Sequence, residues 1–396
     1  AGYATACIGK WHLGFGSERL PDWNDELKPG PLELGFDHYF GVPVVNSHPP
    51  FVYVEDRRVV GLEEDDPIRV GPGLRSPTRR YPEKFSAPPR KAAPGVAGGR
   101  AAHARYVDEE VCTTLTGHAT RWIRDHARNP FFLYFATTNI HHPFTPHPRF
   151  RGTSDCGLYG DFIHELDWAV GEVLNTLDET GVADNTLVIF TSDNGGMLNQ
   201  GGRRAWEMGH RLNGDFLGFK FGAWEGGHRI PFLARWPGRI PAGTRSDHLI
   251  ANIDLLATLA ALVERPLKPG EGPDSMNQLG TLTGDPAEPV RDHLLIAPHK
   301  KTHLSLRKDR WVYIPARGSG GFGNGLKTFA RSGAVNSDLT PEGKVRPGAP
   351  PAQLYNLQTD LRQARNVLRE HPGVADDLKE LIRKYREQGY SVPRDG

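Results

Sequence analysis

The chain has 396 residues with nearly balanced charge, 48 Lys and Arg against 47 Asp and Glu, for a formal net charge of +1. That length can bury a sizeable core, and no long run of one sign suggests a nucleic-acid groove or a polybasic membrane anchor. Cys7, Cys112 and Cys156 are too few and too scattered for a disulfide framework or a zinc knuckle, and no apolar run reaches the roughly 18 residues of a membrane span.

Residues 3–14, Tyr-Ala-Thr-Ala-Cys-Ile-Gly-Lys-Trp-His-Leu-Gly, read as a short extended segment closed by glycines. In an extended chain Lys10 and His12 point to the same side, which would aim a fixed charge and a titratable imidazole at one point. An edge strand with two solvated side chains is the plainer alternative. From about Pro21 to Arg100 the composition turns to Pro, Gly and Arg, with brief apolar runs at Tyr39-Phe40 and Phe51 to Val54. Long surface excursions are expected there, with little regular structure between Gly61 and Gly99.

An amphipathic stripe of Val107, Val111, Leu115, Trp122 and Ile123 predicts a helix ending near Arg128, stopped by Asn129-Pro130. Phe131 to Ala136 then reads as a buried strand running into His141-His142-Pro143. Helical spacing returns at Phe162, Leu166, Val170, Val173, Leu174 and Leu177, with Gly181 as the C-terminal cap. Leu187-Val-Ile-Phe-Thr-Ser-Asp193-Asn194-Gly195-Gly196 is a second buried strand ending in a carboxylate and a carboxamide, hard oxygen donors suited to Ca²⁺ or Mg²⁺. A tight turn reads equally well from those four residues. Strand, helix and strand in this order argue for an α/β fold with a mainly parallel or mixed sheet, whose ligands gather at the C-terminal strand edge.

Residues 197–222 are polar and Gly-rich. They are followed by a Gly-Gly turn, a strand from Ile230 to Arg235 and a buried apolar helix from Asn252 to Val263. Beyond Pro289 short strands at Leu304–Leu306, Arg310–Ile314 and Gln353–Leu357 precede a helix carrying Val374, Leu378, Leu381, Ile382 and Tyr385. The expected division is a larger α/β domain over residues 1–290 and a smaller α+β domain over 291–396.

Taken together, five separated stretches resemble the formylglycine-dependent sulfatases of the alkaline phosphatase superfamily. They are Gly2 to Gly14, Thr191 to Gly196, Trp224-Glu-Gly-Gly-His-Arg-Ile-Pro231, Arg235-Trp-Pro-Gly238 and Leu354-Tyr-Asn-Leu-Gln-Thr-Asp360, in family order. The resemblance implies an alkaline phosphatase-like fold and hydrolysis of a sulfate monoester, on a sulfated carbohydrate or an aryl sulfate. It implies that Lys10 and Lys220 hold the sulfate and that His12 acts as base. His141 would assist the leaving oxygen, with His142 as the neighbouring alternative, and Asp193 and Asn194 would bind Ca²⁺, with Mg²⁺ the second candidate. Family members are mostly exported to the periplasm or exterior, or lysosomal. Oligomeric state is not legible.

The family's Cys-x-Pro-x-Arg segment, whose Cys becomes formylglycine, has no counterpart here. Cys7 is followed by Ile-Gly-Lys, Cys112 by Thr-Thr-Leu and Cys156 by Gly-Leu-Tyr, and Arg75-Ser-Pro-Thr-Arg79 carries Arg where Cys should stand. The resemblance therefore implies a chain that starts roughly a hundred residues into a sulfatase, judged from ordinary domain sizes. Such a chain should not turn over sulfate esters by itself and should hold Ca²⁺ poorly, because affinity follows ligand count. Two other readings remain. A phosphomonoester or phosphonate hydrolase of the same superfamily would need a second metal, yet no Asp-x-x-x-His pair follows Asn194, and His210 and His228 stand isolated. The other is a non-catalytic binder of sulfated glycans. Arg203, Arg204 and Arg211, with Trp206 and Trp224 for stacking, lean toward a sugar, although loop arginines and packed tryptophans read equally from the same residues.

Overall fold

Three parallel strands set the frame, with β1 (Ala4–Lys10), built of small residues, at its centre. Ala6, Cys7 and Ile8 of β1 are fully buried, as a strand flanked on both sides requires. It pairs in parallel with β2 (His38–Val42) on one side and, on the other, with β7 (Phe131–Ala136). The computed structural model describes all residues except 18–20, 46–47, 72–73, 75–94, 199, 285 and 393–396, and only the backbone of 200 and 201. The Arg75–Arg79 loop therefore lies outside the described residues. The chain forms two compact units: residues 2–183 with 203–208, and residues 184–202 with 209–396.

In the N-terminal unit, β3 (Val54–Glu55) and β4 (Arg58–Val59) extend the sheet antiparallel beyond β2, giving the mixed order β4-β3-β2-β1-β7. The span expected to lack regular structure contains a two-stranded ribbon, β5 (Arg69–Gly71) with β6 (Gly95–Ala97), followed by the short helix α1 (Arg100–Ala104). Helix α2 (Val111–His126) starts four residues after Val107, which is extended, because a 3-10 turn at Asp108–Glu110 intervenes. Its apolar face buries Val111, Leu115, Ala119, Trp122 and Ile123. Helix α3 (Leu158–Glu179) runs alongside, and Arg124 of α2 bridges to Glu179 at 3.1 Å. Gly181 takes the left-handed conformation expected of a cap, with φ 70°. Strand β7 is only half buried, with Tyr134 50% exposed, because one of its faces alternates outward.

In the C-terminal unit, β8 (Val188–Thr191) pairs antiparallel with β10 (Phe232–Arg235). The polar stretch before β10 holds two elements that hydrophobic periodicity did not signal, α4 (Gln200–Glu207) and β9 (Leu212–Asp215). Helix α5 (Leu255–Leu262) forms where expected but is not buried throughout: Leu256 is 51% exposed, and only Thr258 is buried within it. An all-apolar helix gives no periodicity from which to read an outward face. Helix α6 (Leu279–Gly284) follows.

A four-stranded antiparallel sheet closes the chain: β11 (His293–Ile296), β12 (Ser305–Lys308), β13 (Trp311–Ile314) and β14 (Gln353–Asn356), in that order. Period-two alternation gives it two packed faces. Val312, Ile314 and Tyr355 join Trp224, Leu217 and Phe329 of α7 (Leu326–Ser332) on one side. Leu306, Tyr313 and Leu354 meet Ala375, Leu378 and Ile382 of α8 (Pro372–Gln388) on the other. A buried ion pair ties three segments of this unit together. The Arg291 guanidinium grips both carboxylate oxygens of Asp254 at 3.0 and 2.5 Å and donates to the carbonyls of Asp274 and His293. Asp254 also accepts from the backbone of Ala251 and Met276, so neither charge is left unsatisfied. Among the described residues no helix is long and apolar enough to cross a membrane.

Candidate active site

The residues singled out above divide between the units. Lys10, His12 and His141 belong to the N-terminal unit; Asp193, Asn194 and Lys220 belong to the C-terminal one.

In the N-terminal unit, Lys10 ends β1, in register with Val42, and the loop carrying His141 leaves β7 just beyond Ala136, the partner of Gly9. Both side chains thus issue from the C-terminal edge of parallel strands, where ligands of α/β sheets collect. The strands approach unusually closely there. Gly9 has φ 125°, and a Cβ on it would stand 1.9 Å from the Ala136 carbonyl oxygen; a Cβ on Gly41 would stand 1.8 Å from that of Gly9. Two glycines therefore set the position of Lys10. His12 departs from the expected alternation. The strand stops at Lys10, the His12 amide donates to the Pro43 carbonyl at 2.9 Å, and His12 itself turns left-handed at φ 61° and is exposed.

The His141 ring is half buried and stacks on His142 with centroids 4.6 Å apart. Its Nδ1 lies 2.6 Å from the His142 carbonyl oxygen. A carbonyl only accepts, so Nδ1 carries the proton, and Nε2 is the nitrogen that exchanges one. The loop is held from α3. Glu165, fully buried, accepts from Asn139 Nδ2 at 3.1 Å and from the His147 amide at 3.2 Å, and Asn139 also donates to the Phe162 carbonyl. Burial pushes the Glu165 carboxyl up to about 7, against the pull of Asn139, the His147 amide and Arg149. A carboxyl held above its unfolded value of 4.5 binds protons more strongly in the folded state. Its contribution to stability is therefore full below pH 4.5 and lost as pH rises through about 7. Glu165→Gln is expected to flatten that stretch of the stability profile, a difference of about 2 kcal/mol between pH 5 and pH 8 in urea unfolding. Sequence reasoning missed Glu165, since a carboxylate inside an amphipathic stripe reads as a solvated position.

In the C-terminal unit, β8 delivers Asp193, exposed, and Asn194, half buried, to its C-terminal end. Asn194 Nδ2 donates to the Gly195 carbonyl at 3.0 Å, which leaves Oδ1 as its acceptor side. The Trp224–Gly227 turn braces this strand end: the Gly195 amide donates to the Gly227 carbonyl at 3.0 Å, and a Cβ on Gly195 would meet the Gly226 oxygen at 2.0 Å. Glu225, fully buried, anchors the turn through Arg229 at 2.6 Å. The Lys220 amide donates to the Gly196 carbonyl at 3.0 Å, which ties Lys220 to the segment bearing Asp193 and Asn194. Lys220 Nζ lies 5.1 Å from the Phe221 ring centre.

Packing decides between the two readings of Trp224. Trp224 is 1% exposed and donates from Nε1 to Gln353 at 3.0 Å, so it is a core residue with no face for a sugar. Arg203 is paired with Glu207 along α4 at 2.7 Å, while Arg204 and Arg211 are exposed and Trp206 is half buried. As for a metal, Asp193 and Asn194 supply oxygen donors of the right kind for a hard cation, but they are two where Ca²⁺ takes about 6–8. Among the described residues no three His, Cys, Asp or Glu side chains converge on a metal position. None of the cysteines fits the formylglycine role. Cys7 is buried inside β1, where burial pushes its thiol up to about 12, Cys112 is buried in α2, and Cys156 lies in a turn before α3.

In each unit the strand ends present cationic or hard oxygen groups of the kind that bind anionic ligands or cations. Residues 1–264 match the family model "Sulfatase". An N-acetylgalactosamine-6-O-sulfatase of Bacteroides thetaiotaomicron is 35% identical over 96% of this chain and 74% of its own length. Human N-acetylgalactosamine-6-sulfatase is 34% identical over 71% of this chain and mouse steryl-sulfatase 31% over 72%, and the chain spans only 46% and 49% of their lengths. A solved Bacteroides thetaiotaomicron sulfatase, described with glycosaminoglycan metabolism, superposes with a TM-score of 0.82 at 33% identity, covering 98% of this chain and 80% of that one. The chain belongs to the sulfatase family, whose chemistry is sulfuric ester hydrolysis.

Proposed function

We propose that the protein acts on a sulfated carbohydrate, a 6-O-sulfated amino sugar before an aryl sulfate, and that Lys10 and Lys220 are its sulfate-binding cations. The observation that carries this reading is the placement of each lysine by backbone: Lys10 by the Gly9–Gly41–Ala136 approach, Lys220 by the hydrogen bond its amide donates to the Gly196 carbonyl. Fixed ammonium groups neutralise nonbridging sulfate oxygens without reorganising. His141, with Nδ1 engaged, carries the exchangeable proton for the leaving oxygen on Nε2, and His12 is the base. Asp193 and Asn194 are the proposed Ca²⁺ ligands, and Ca²⁺ would supply charge neutralisation at the sulfate oxygens. Export or lysosomal residence is the compartment we propose. The division at residues 290 and 291 draws support from the antiparallel sheet that begins at His293.

Calorimetric titration of the 396-residue chain with sulfate, phosphate and N-acetylgalactosamine 6-sulfate tests the reading. Lys10→Ala and Lys220→Ala are each expected to weaken sulfate about 10–100-fold, the worth of one charge-assisted contact. Unchanged binding in both variants would remove the lysines from the site. Tighter binding of phosphate than of sulfate would favour the phosphomonoester alternative.

A further inference from the structure

We propose that Glu165 is a positioning residue for His141, clamping the loop that carries it from both sides. The inference rests on His141 being the proton donor of the proposed function.

The loop leaves β7 at Ala136 and gains few anchors of its own. The His141 amide donates to the Thr138 carbonyl at 3.0 Å, and Thr145 Oγ1 donates to the Asp108 carbonyl at 3.1 Å. Thr138 Oγ1 and Asn139 Oδ1 are buried without a hydrogen-bond partner among the described residues. Glu165 instead holds one residue on each side of the histidine pair: Asn139, two residues before His141, through Oε2, and His147, six residues after it, through Oε1. Both partners are donors, so a carboxylate satisfies both, whereas a neutral amide can accept from one and must turn its own donor toward the other. Four residues earlier on α3, Asp161 accepts from the amides of Gly152 and Ser154 at 3.0 and 2.9 Å. One helix face thus pins the chain after the histidines at successive points. A loop pinned this way keeps the His142 carbonyl within reach of His141 Nδ1, and that bond decides which imidazole nitrogen can give up a proton.

The test reads the His141 tautomer directly, without turnover. In the 396-residue chain labelled with ¹⁵N-histidine at pH 8.5, His141 is assigned through its loss in His141→Asn and is expected as the Nδ1–H tautomer. Glu165→Gln is expected to shift it toward a mixture of tautomers and to raise the sulfate Kd about tenfold, the usual cost of a lost supporting partner. Asn139→Ala, which leaves the buried acid its His147 partner, is expected to act in the same direction and decides alone if Glu165→Gln does not fold. A Glu165 that only stabilises the fold would lower the melting temperature and leave tautomer and Kd as they were; that result in a folded variant overturns the proposal. If the tautomer responds but the native chain binds no sulfate, the clamp stands and the sulfate-site reading of His141 falls.

Discussion

Gly9→Ala is expected to cost about 4 kcal/mol or more and to leave the N-terminal unit without a cooperative unfolding transition. Two penalties combine at this position. The backbone sits at φ 125°, where a side chain is strained whatever the space around it, and the new Cβ would lie 1.9 Å from the Ala136 carbonyl oxygen. Neither atom can yield cheaply, because the Cβ is fixed by, and the oxygen belongs to, the backbone of paired parallel strands. Gly14→Ala is the control. It too has positive φ, 90°, but no heavy atom lies within 4 Å of its Cβ position, so the cost should stay at about 1 kcal/mol. Urea unfolding followed by tryptophan fluorescence separates the two. Equal losses at both sites would mean that backbone strain, and not the approach of β7, restricts Gly9.

His141→Ala should produce the largest functional loss, in an enzyme in which this chain is joined to the nucleophile segment the family motif calls for. A general acid is worth about 10²–10⁴-fold when the leaving oxygen is a poor one, as in a sugar sulfate. For an activated aryl sulfate, whose oxygen departs unprotonated, the same substitution should cost about tenfold or less. Comparing kcat/KM for the two substrates measures the difference. Equal losses would take the acid role from His141, and a larger loss in His142→Ala would assign it to the neighbouring ring.

The fold was legible wherever burial leaves a period in the chain. The stripe of α2 and the short strands β13 and β14 are legible in residues whose inward faces are apolar. What escaped was structure held by polar groups or by the absence of a side chain. Helix α4 lies in Gly-rich sequence, Asn213 bonds Gly196 at 2.6 Å from an unremarked strand, and Glu165 holds its loop from inside a helix. The same limit explains Trp224. A tryptophan beside glycines can equally face a ligand or fill a core, and here the carboxamide of Gln353, 129 positions away, decides. His12 shows the reverse case, because two-residue alternation holds only while the strand lasts, and β1 stops at Lys10.

The Asp254–Arg291 pair has a consequence for how the C-terminal unit comes apart. Arg291 heads the last hundred residues, yet its guanidinium is committed to a carboxylate at the entrance of α5 and to the carbonyl of Asp274. Asp274 in turn accepts from the backbone and hydroxyl of Ser391, and the Ser391 carbonyl lies 2.8 Å from His293 Nε2. Opening the C-terminal sheet would strand a desolvated ion pair, so amides of α5 and of β11 should share one opening free energy in hydrogen exchange. On that expectation the chain before and after residue 290 would open together in exchange, whatever the change of sequence character between them.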